Sequence, residues 1–119
     1  DSGLGYLKEG LQNLTSLKEI SLNFSMCAKI TDEGLNHLSQ SLQKMSSLQE
    51  INLKFSFCEI ITDGGLEFLR KSLQELTCLQ KISLDCFSCP KITSAKLDRL
   101  KEELQMKLVS SLKSINISI

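Results

Sequence analysis

Residues 17–35 read LKEISLNFSMCAKITDEGL, and residues 48–66 repeat this pattern as LQEINLKFSFCEIITDGGL. Residues 79–97 repeat it again as LQKISLDCFSCPKITSAKL. The leucines, the first isoleucine, the cysteine and the Ile-Thr pair each recur at a spacing of 31 residues. Apolar positions that keep one long period indicate an array of similar structural units. The repeat therefore decides the fold.

Each unit contains two different hydrophobic periods. The first is a strict alternation with polar residues, typical of a strand with one buried face: Ile20, Leu22 and Phe24. The second is an i, i+3, i+7 spacing, which places three leucines on one face of a helix: Leu35, Leu38 and Leu42. Asp32 and Asp63 precede the helical segments, and we expect their carboxylates to accept the unpaired amides of the first helical turn.

The unit thus predicts a strand, a turn, a helix and a loop. We expect a leading helix near residues 4–14, three later helices and four strands. In the last unit Leu79 and Leu112 are 33 residues apart, so two residues are inserted between Leu104 and Leu112. A single strand and helix cannot bury their apolar sides, but stacked units can. The sequence therefore predicts one α/β domain over residues 1–119, a solenoid of about three and a half repeats with a parallel sheet on its concave side and helices on its convex side.

Charge and hydropathy argue against two classes of partner. The chain has 14 Lys and Arg against 14 Asp and Glu, so its formal net charge is zero. Nucleic-acid binding and polybasic membrane contact both need a surplus of cations on one face. No apolar run reaches the roughly 20 residues that cross a bilayer. We therefore expect neither nucleic acid nor membrane as a partner.

The segments 17–22 and 27–35 resemble a leucine-rich repeat. More narrowly, they resemble the cysteine-containing subfamily common in F-box substrate adaptors, whose units read LxxLxLxxCxxITDxGLxxL. The present units differ by two extra residues between the strand leucine and the cysteine, and the third unit has ITSAKL at residues 92–97. The resemblance implies a horseshoe-shaped solenoid that binds proteins.

The cysteines are interpreted as packing residues. Cys86 and Cys89 form a C-x-x-C sequence, as in zinc half-sites and redox pairs. However, Cys89 matches Cys27 and Cys58 in register, and Cys86 matches two phenylalanines that are expected to be buried. We expect Cys27, Cys58 and Cys89 to be buried and reduced. The odd total of five cysteines suits a reducing, cytoplasmic environment.

Catalytic motifs are missing from the sequence. His37 is the single histidine and is expected to be a partly exposed helix residue. There is no Ser-His-Asp set, glycine-rich phosphate loop or paired-carboxylate motif. We therefore expect no enzyme, no metal and no cofactor. Three Asn-x-Ser/Thr triplets, at Asn13, Asn23 and Asn116, leave a secreted glycoprotein as the alternative to a cytoplasmic protein.

The strand positions that alternate with the buried ones form the candidate binding surface. These outward positions vary between units whereas the inward positions repeat, as expected where the surface is free to specialise. We predict that they bind a partner: Glu19, Ser21, Asn23, Glu50, Asn52, Lys54, Lys81, Ser83, Asp85 and Asn116. Their mixed charge and small hydrogen-bonding groups suit another protein or an extended peptide. The helix residues Glu33, Asn36, Ser39 and Gln40 are interpreted as an ordinary solvated face, and charge reversal at Glu33 or Glu67 is expected to affect neither binding nor the fold.

The predicted function is therefore a non-enzymatic protein-interaction module. The alternatives are a structural filler subunit in a large assembly and the substrate-recognition arm of a ubiquitin-ligase adaptor. Both ends of the sequence resemble internal repeats, so we expect a fragment of a longer array that packs end-on against neighbouring repeats or subunits. The apolar residues behind this expectation are Leu4, Leu7, Leu11, Ile115, Ile117 and Ile119.

Overall fold

A computed structural model of the protein describes residues 16–118, over which four strands alternate with three helices. The strands are β1 (Glu19–Asn23), β2 (Glu50–Lys54), β3 (Lys81–Asp85) and β4 (Ser114–Ser118). The helices are α1 (Asp32–Gln43), α2 (Asp63–Leu73) and α3 (Ser94–Lys107). The expected leading helix, with Leu4, Leu7, Leu11 and Asn13, lies outside the described residues, as does Ile119.

The strands form one parallel sheet in the order β1-β2-β3-β4. Ile20 pairs with Ile51, Ile51 with Ile82 and Ile82 with Ile115, so the register follows the sequence repeat. The two inserted residues do not disturb this register because α3 is longer, with 14 residues against 12 in α1 and 11 in α2. The predicted α/β class and parallel sheet are confirmed.

Strand and helix side chains share a single core. Ile51 and Leu53 of β2 are buried together with Leu66, Leu69 and Leu73 of α2. Full burial of one such side chain contributes about 1.5–3 kcal/mol to folding. The core lies between the helices and one side of the sheet, and the alternate strand side chains on the other side remain accessible.

The aspartates connect neighbouring units instead of capping their own helices. Thr62 is the N-cap residue of α2, and its hydroxyl accepts a hydrogen bond from the Gly64 N–H at 3.1 Å. Asp32, the first residue of α1, accepts from the Thr62 N–H at 2.8 Å, and Asp63 accepts from the Thr93 N–H at 2.8 Å. The expectation that Asp32 and Asp63 cap their own helices is therefore wrong. Because each aspartate lies inside the helix start, its carboxylate reaches the N-cap residue of the next unit.

Candidate functional site: the open face of the sheet

The outward side chains of the strands form three rows across the sheet. The first row contains Glu19, Glu50, Lys81 and Ser114; the second contains Ser21, Asn52, Ser83 and Asn116; the third contains Asn23, Lys54, Asp85 and Ser118. We call these twelve residues the open sheet face. Neighbouring members of a row belong to strands about 4.8 Å apart. The structure thus brings all ten predicted binding residues onto one surface.

The charges on the open sheet face form an alternating pattern. Lys81 Nζ lies 3.7 Å from Glu50 Oε1, and the two side chains are 60% and 42% exposed. In the third row Lys54 stands beside Asp85. On β2 the acidic residue therefore precedes the lysine, whereas on β3 the order is reversed. Exposed pairs of this kind contribute little to stability, typically 0–1 kcal/mol, so the charges remain available to a partner.

The centre of the open sheet face carries an unpaired hydrogen-bond acceptor. Asn52 Oδ1 is buried and has no hydrogen-bond partner within the described part of the chain. The residue Asn52 lines a shallow groove of about 290 Å³, which is formed by the first two rows together with Ile20, Ile51 and Ile82. A buried acceptor without a partner costs about 1–3 kcal/mol. A bound molecule would recover this energy if the Asn52 amide rotated so that its Oδ1 met a donor.

Two residues of the third row also support the loops that follow their strands. Asn23 Oδ1 accepts a hydrogen bond from the Ser25 N–H at 2.9 Å. Asp85 Oδ1 accepts one from the Phe87 N–H at 3.0 Å. Sequence reasoning missed this second role, although Asn and Asp two residues before a backbone amide are common in such turns. Substitutions at Asp85 therefore affect a loop as well as the surface.

The helix side of the molecule is not a uniformly solvated face. Ser39 is buried, so its interpretation as a solvated residue is wrong. It follows Leu35 by one helical turn, which keeps it at the edge of the buried face. Glu67 forms ion pairs with Arg70 and Lys96, and Arg70 Nε also lies 3.0 Å from Glu103 Oε2.

This ion-pair network joins α2 to α3. The hydrogen bond from Arg70, followed by that from Lys96, outweighs partial burial and lowers the pKa of Glu67 from 4.5 to about 2. Glu67 therefore contributes to the contact between the two helices, and these ion pairs disagree with the expectation that reversing its charge leaves the fold unaffected.

The five cysteines are all free thiols but differ in exposure. Cys58, Cys86 and Cys89 are buried, and Cys58 and Cys89 donate to the Phe24 and Phe55 carbonyls at 3.2 and 2.9 Å. Each of these two thiols is covered by the loop of the preceding unit. Cys27 belongs to the first unit described and is exposed, so the prediction that it is buried is wrong.

Burial controls the acidity of the internal thiols. Desolvation raises the pKa of Cys58 to about 11 and that of Cys86 to about 12, and it also raises the pKa of Cys89. The thiolate is the reactive form of cysteine and the form that binds metals. The buried C-x-x-C pair is therefore suited to packing and poorly suited to redox chemistry.

The remaining findings concern His37, metal binding and membrane crossing. His37 is partly exposed, and its Nε2 lies 3.7 Å from Oε1 of Glu33 on the preceding turn of α1. Residues 16–118 contain no group of three or more His, Cys, Asp and Glu side chains placed to hold a metal ion. Over the same residues, none of the helices has the length and apolar character needed to cross a membrane.

Comparison with protein-family models gives no match for this chain, and comparison with curated proteins gives no significant match either. The resemblance to leucine-rich repeats therefore rests on the sequence motifs quoted above.

Proposed function

We propose that the protein is a non-enzymatic interaction module, built as a leucine-rich-repeat solenoid, that binds an extended segment of another protein on the open sheet face. In this proposal the open sheet face is the concave surface of the solenoid. The proposal is supported by the division of each strand into two sets of side chains. The inward set repeats and is largely buried, whereas the outward set is polar, accessible and different in every unit.

The unpaired Oδ1 of Asn52 is the observation that carries the proposal. It lies in the second row, between Ser21 on β1 and Ser83 on β3. A peptide that crosses the strands would meet a hydrogen-bonding side chain about every 4.8 Å. Its backbone N–H groups are donors for the Asn52 amide oxygen once that side chain rotates towards the groove, and the two serines can either donate or accept.

The charged rows would set the orientation of the bound segment. A segment that crosses β2 and β3 near Glu50 and Lys81 meets an acidic residue and then a basic one. Near Lys54 and Asp85 it meets the opposite order. Complementary charges of this kind affect specificity and association rate more than final affinity. We therefore expect binding to weaken as salt concentration rises, because the pairs are accessible to solvent.

A peptide-display selection on the full chain would test this proposal. The affinity of the selected peptides would then be measured for two variants. Ser83→Arg places a bulky cation in the second row, and Ser110→Arg makes the same change at an exposed site after α3. We expect Ser83→Arg to weaken binding by about tenfold or more, the loss of roughly one good polar contact, and Ser110→Arg to have no effect. The proposal would be contradicted if both substitutions weakened peptide binding equally, or if neither of them weakened it.

A structural role in a larger assembly is the second candidate, and a different observation favours it. Met106 and Val109 at the C-terminal end of α3 are 77% and 78% exposed. They lie at the same end of the molecule as β4, an edge strand of the described sheet. Exposed apolar groups beside an unpaired strand edge favour end-on association. If Met106→Lys and Val109→Lys abolish concentration-dependent association in light scattering while Ser83→Arg does not, the end surface is used for assembly.

A further inference from the structure

A second surface lies at the loops that follow β1, β2 and β3, residues 24–31, 55–62 and 86–93. We call it the loop edge. It exposes four large apolar side chains, with exposed fractions of 76% for Met26, 49% for Phe57, 37% for Ile60 and 50% for Phe87. Two of them are in contact, since the rings of Phe57 and Phe87 pack edge-to-face with centroids 5.6 Å apart. Grouped exposed apolar residues mark interaction sites more often than scattered ones.

Each of these loops contains one non-glycine residue in an unfavourable backbone conformation with positive φ. The Cys58 N–H donates to the Phe55 carbonyl at 3.2 Å, which closes a tight turn whose third residue is Phe57. Phe57 has φ 62°, and the equivalent Met26 and Ser88 have φ 65° and 56°. Glycine is favoured at the third position of turns with positive φ, and a bulky residue there is unfavourable. Folding alone therefore does not account for the phenylalanine.

An open cleft of about 630 Å³ is lined on one side by Phe57 of this pair. Its lining residues are Phe57, Glu59, Ile60, Ser88, Cys89, Pro90 and Lys91, of which only Cys89 is buried. Small-molecule sites are usually deep enough to bury 70–90% of their ligand. A cleft whose walls are this exposed is better matched to a side chain that projects from a larger partner.

The charges around the cleft indicate what that partner carries. Lys91 forms one wall, and Lys29 occupies the equivalent position two units earlier. Neither lysine forms an ion pair with another described residue. Glu59 also lines the cleft, so a carboxylate would be attracted to Lys91 and repelled from Glu59.

We propose that the loop edge is a second docking surface, which binds a peptide segment of another protein that carries a bulky apolar side chain beside a carboxylate. The apolar side chain enters the cleft against Phe57 and Ile60, and the carboxylate pairs with Lys91. The loop edge is distinct from the open sheet face. The proposal for the loop edge does not depend on the function proposed for the open sheet face. The loop edge supplies the aromatic anchor that the open sheet face lacks, since aromatic residues are enriched among binding hot spots.

The test is an NMR titration of the full chain with three capped tetrapeptides, Gly-Phe-Asp-Gly, Gly-Phe-Asn-Gly and Gly-Ala-Asp-Gly. We expect the first to bind about threefold or more tightly than each of the others, the scale of one exposed charge pair or one small apolar contact. The shifted amides should include Phe57, Ile60 and Lys91. Equal binding of all three peptides would overturn the proposal, as would shifts centred on the open sheet face. Equally tight binding of free 3-phenylpropionate would show a small-molecule site instead.

Three variants separate binding from folding. Phe57→Gly removes the anchor and relieves the positive φ, so we expect loss of binding with unchanged or increased thermal stability. Lys91→Glu should reverse the preference in favour of a Gly-Phe-Lys-Gly peptide. Lys101→Glu makes the same charge change at an exposed position of α3, and it should leave binding unchanged. Full binding by Phe57→Gly, or an unchanged preference in Lys91→Glu, would refute the proposal.

Discussion

Asp32 of one unit binds Thr62 of the next, because its carboxylate accepts hydrogen bonds from both the backbone N–H and the hydroxyl of Thr62. The Thr62 hydroxyl in turn accepts from the Gly64 N–H and so caps α2. The same contact joins Asp63 to Thr93, with both bonds at 2.8 Å. The position equivalent to Asp32 and Asp63 in the third unit is occupied by Ser94 instead of an aspartate. The start of each of these helices is thus held by the preceding unit.

The first prediction concerns this contact. Asp32→Ala should destabilise the protein by about 1–3 kcal/mol, the range for hydrogen bonds to a charged group. Glu33→Ala is the matched control, because Glu33 is an exposed carboxylate in the same helical turn. It should cost about 0.5 kcal/mol or less. Both values are measurable by urea denaturation, and equal losses in the two variants would show that the contact is not stabilising.

The second prediction concerns two adjacent glycines. A Cβ atom at Gly65 would lie 2.5 Å from Asp32 Oδ1 and 2.7 Å from Leu35 Cδ1. Gly65→Ala should therefore destabilise the protein by about 1–3 kcal/mol through overpacking. At Gly64 the nearest atoms would be at 3.4 and 3.6 Å, which is ordinary contact. Gly64→Ala should be neutral or slightly stabilising, and a thermal melt in which it is the more damaging change would contradict this packing.

The third prediction concerns acid stability. The pKa of Glu67 is about 2 in the folded protein and near 4.5 without its partners. Because the folded pKa is the lower one, the stabilisation is present above pH 4.5 and is lost as the pH falls from 4.5 towards 2. Solvent reaches the side chain, so we expect at most about 1 kcal/mol.

To check this dependence, the free energy of unfolding would be measured in small steps from about pH 6 down to the folded pKa of about 2. In Glu67→Gln the curve should fall less steeply over the acidic part of the range, because the titrating group is gone. Glu102→Gln is the control, since Glu102 is exposed and forms no ion pair with the residues that the structure describes. A curve for Glu67→Gln that parallels the wild type would exclude this role.

The fourth prediction concerns thiol reactivity. Cys27 and Cys78 are exposed, whereas Cys58, Cys86 and Cys89 are buried. Burial raises the pKa of all three internal thiols, so they stay protonated at neutral pH. Burial also keeps reagents away from these thiols. The folded protein should therefore expose two thiols to a disulfide reagent at once, and all five after unfolding. Rapid reaction at Cys58 in mass-spectrometric mapping would contradict the burial.

The three repeat cysteines show which aspects of burial a sequence pattern can predict. Cys27, Cys58 and Cys89 occupy the same position in the same motif, so the sequence predicts one environment for all three. The structure covers Cys58 and Cys89 with the loops containing Phe24 and Phe55, and leaves Cys27 exposed. Burial depends on the preceding unit in space, and no pattern within a single unit contains that information.

The sequence by itself determined the alternation of strands and helices, the register of the parallel sheet and the membership of the open sheet face. Periods of 2 and 3.6 residues place side chains on faces, and a spacing of 31 residues places equivalent positions side by side. Only the tertiary structure decided that Asp32 binds Thr62, that Asn52 Oδ1 has no hydrogen-bond partner among residues 16–118 and that Phe57 has a positive φ. These features depend on atoms contributed by a neighbouring unit or on the closure of a turn, and local periodicity does not record either.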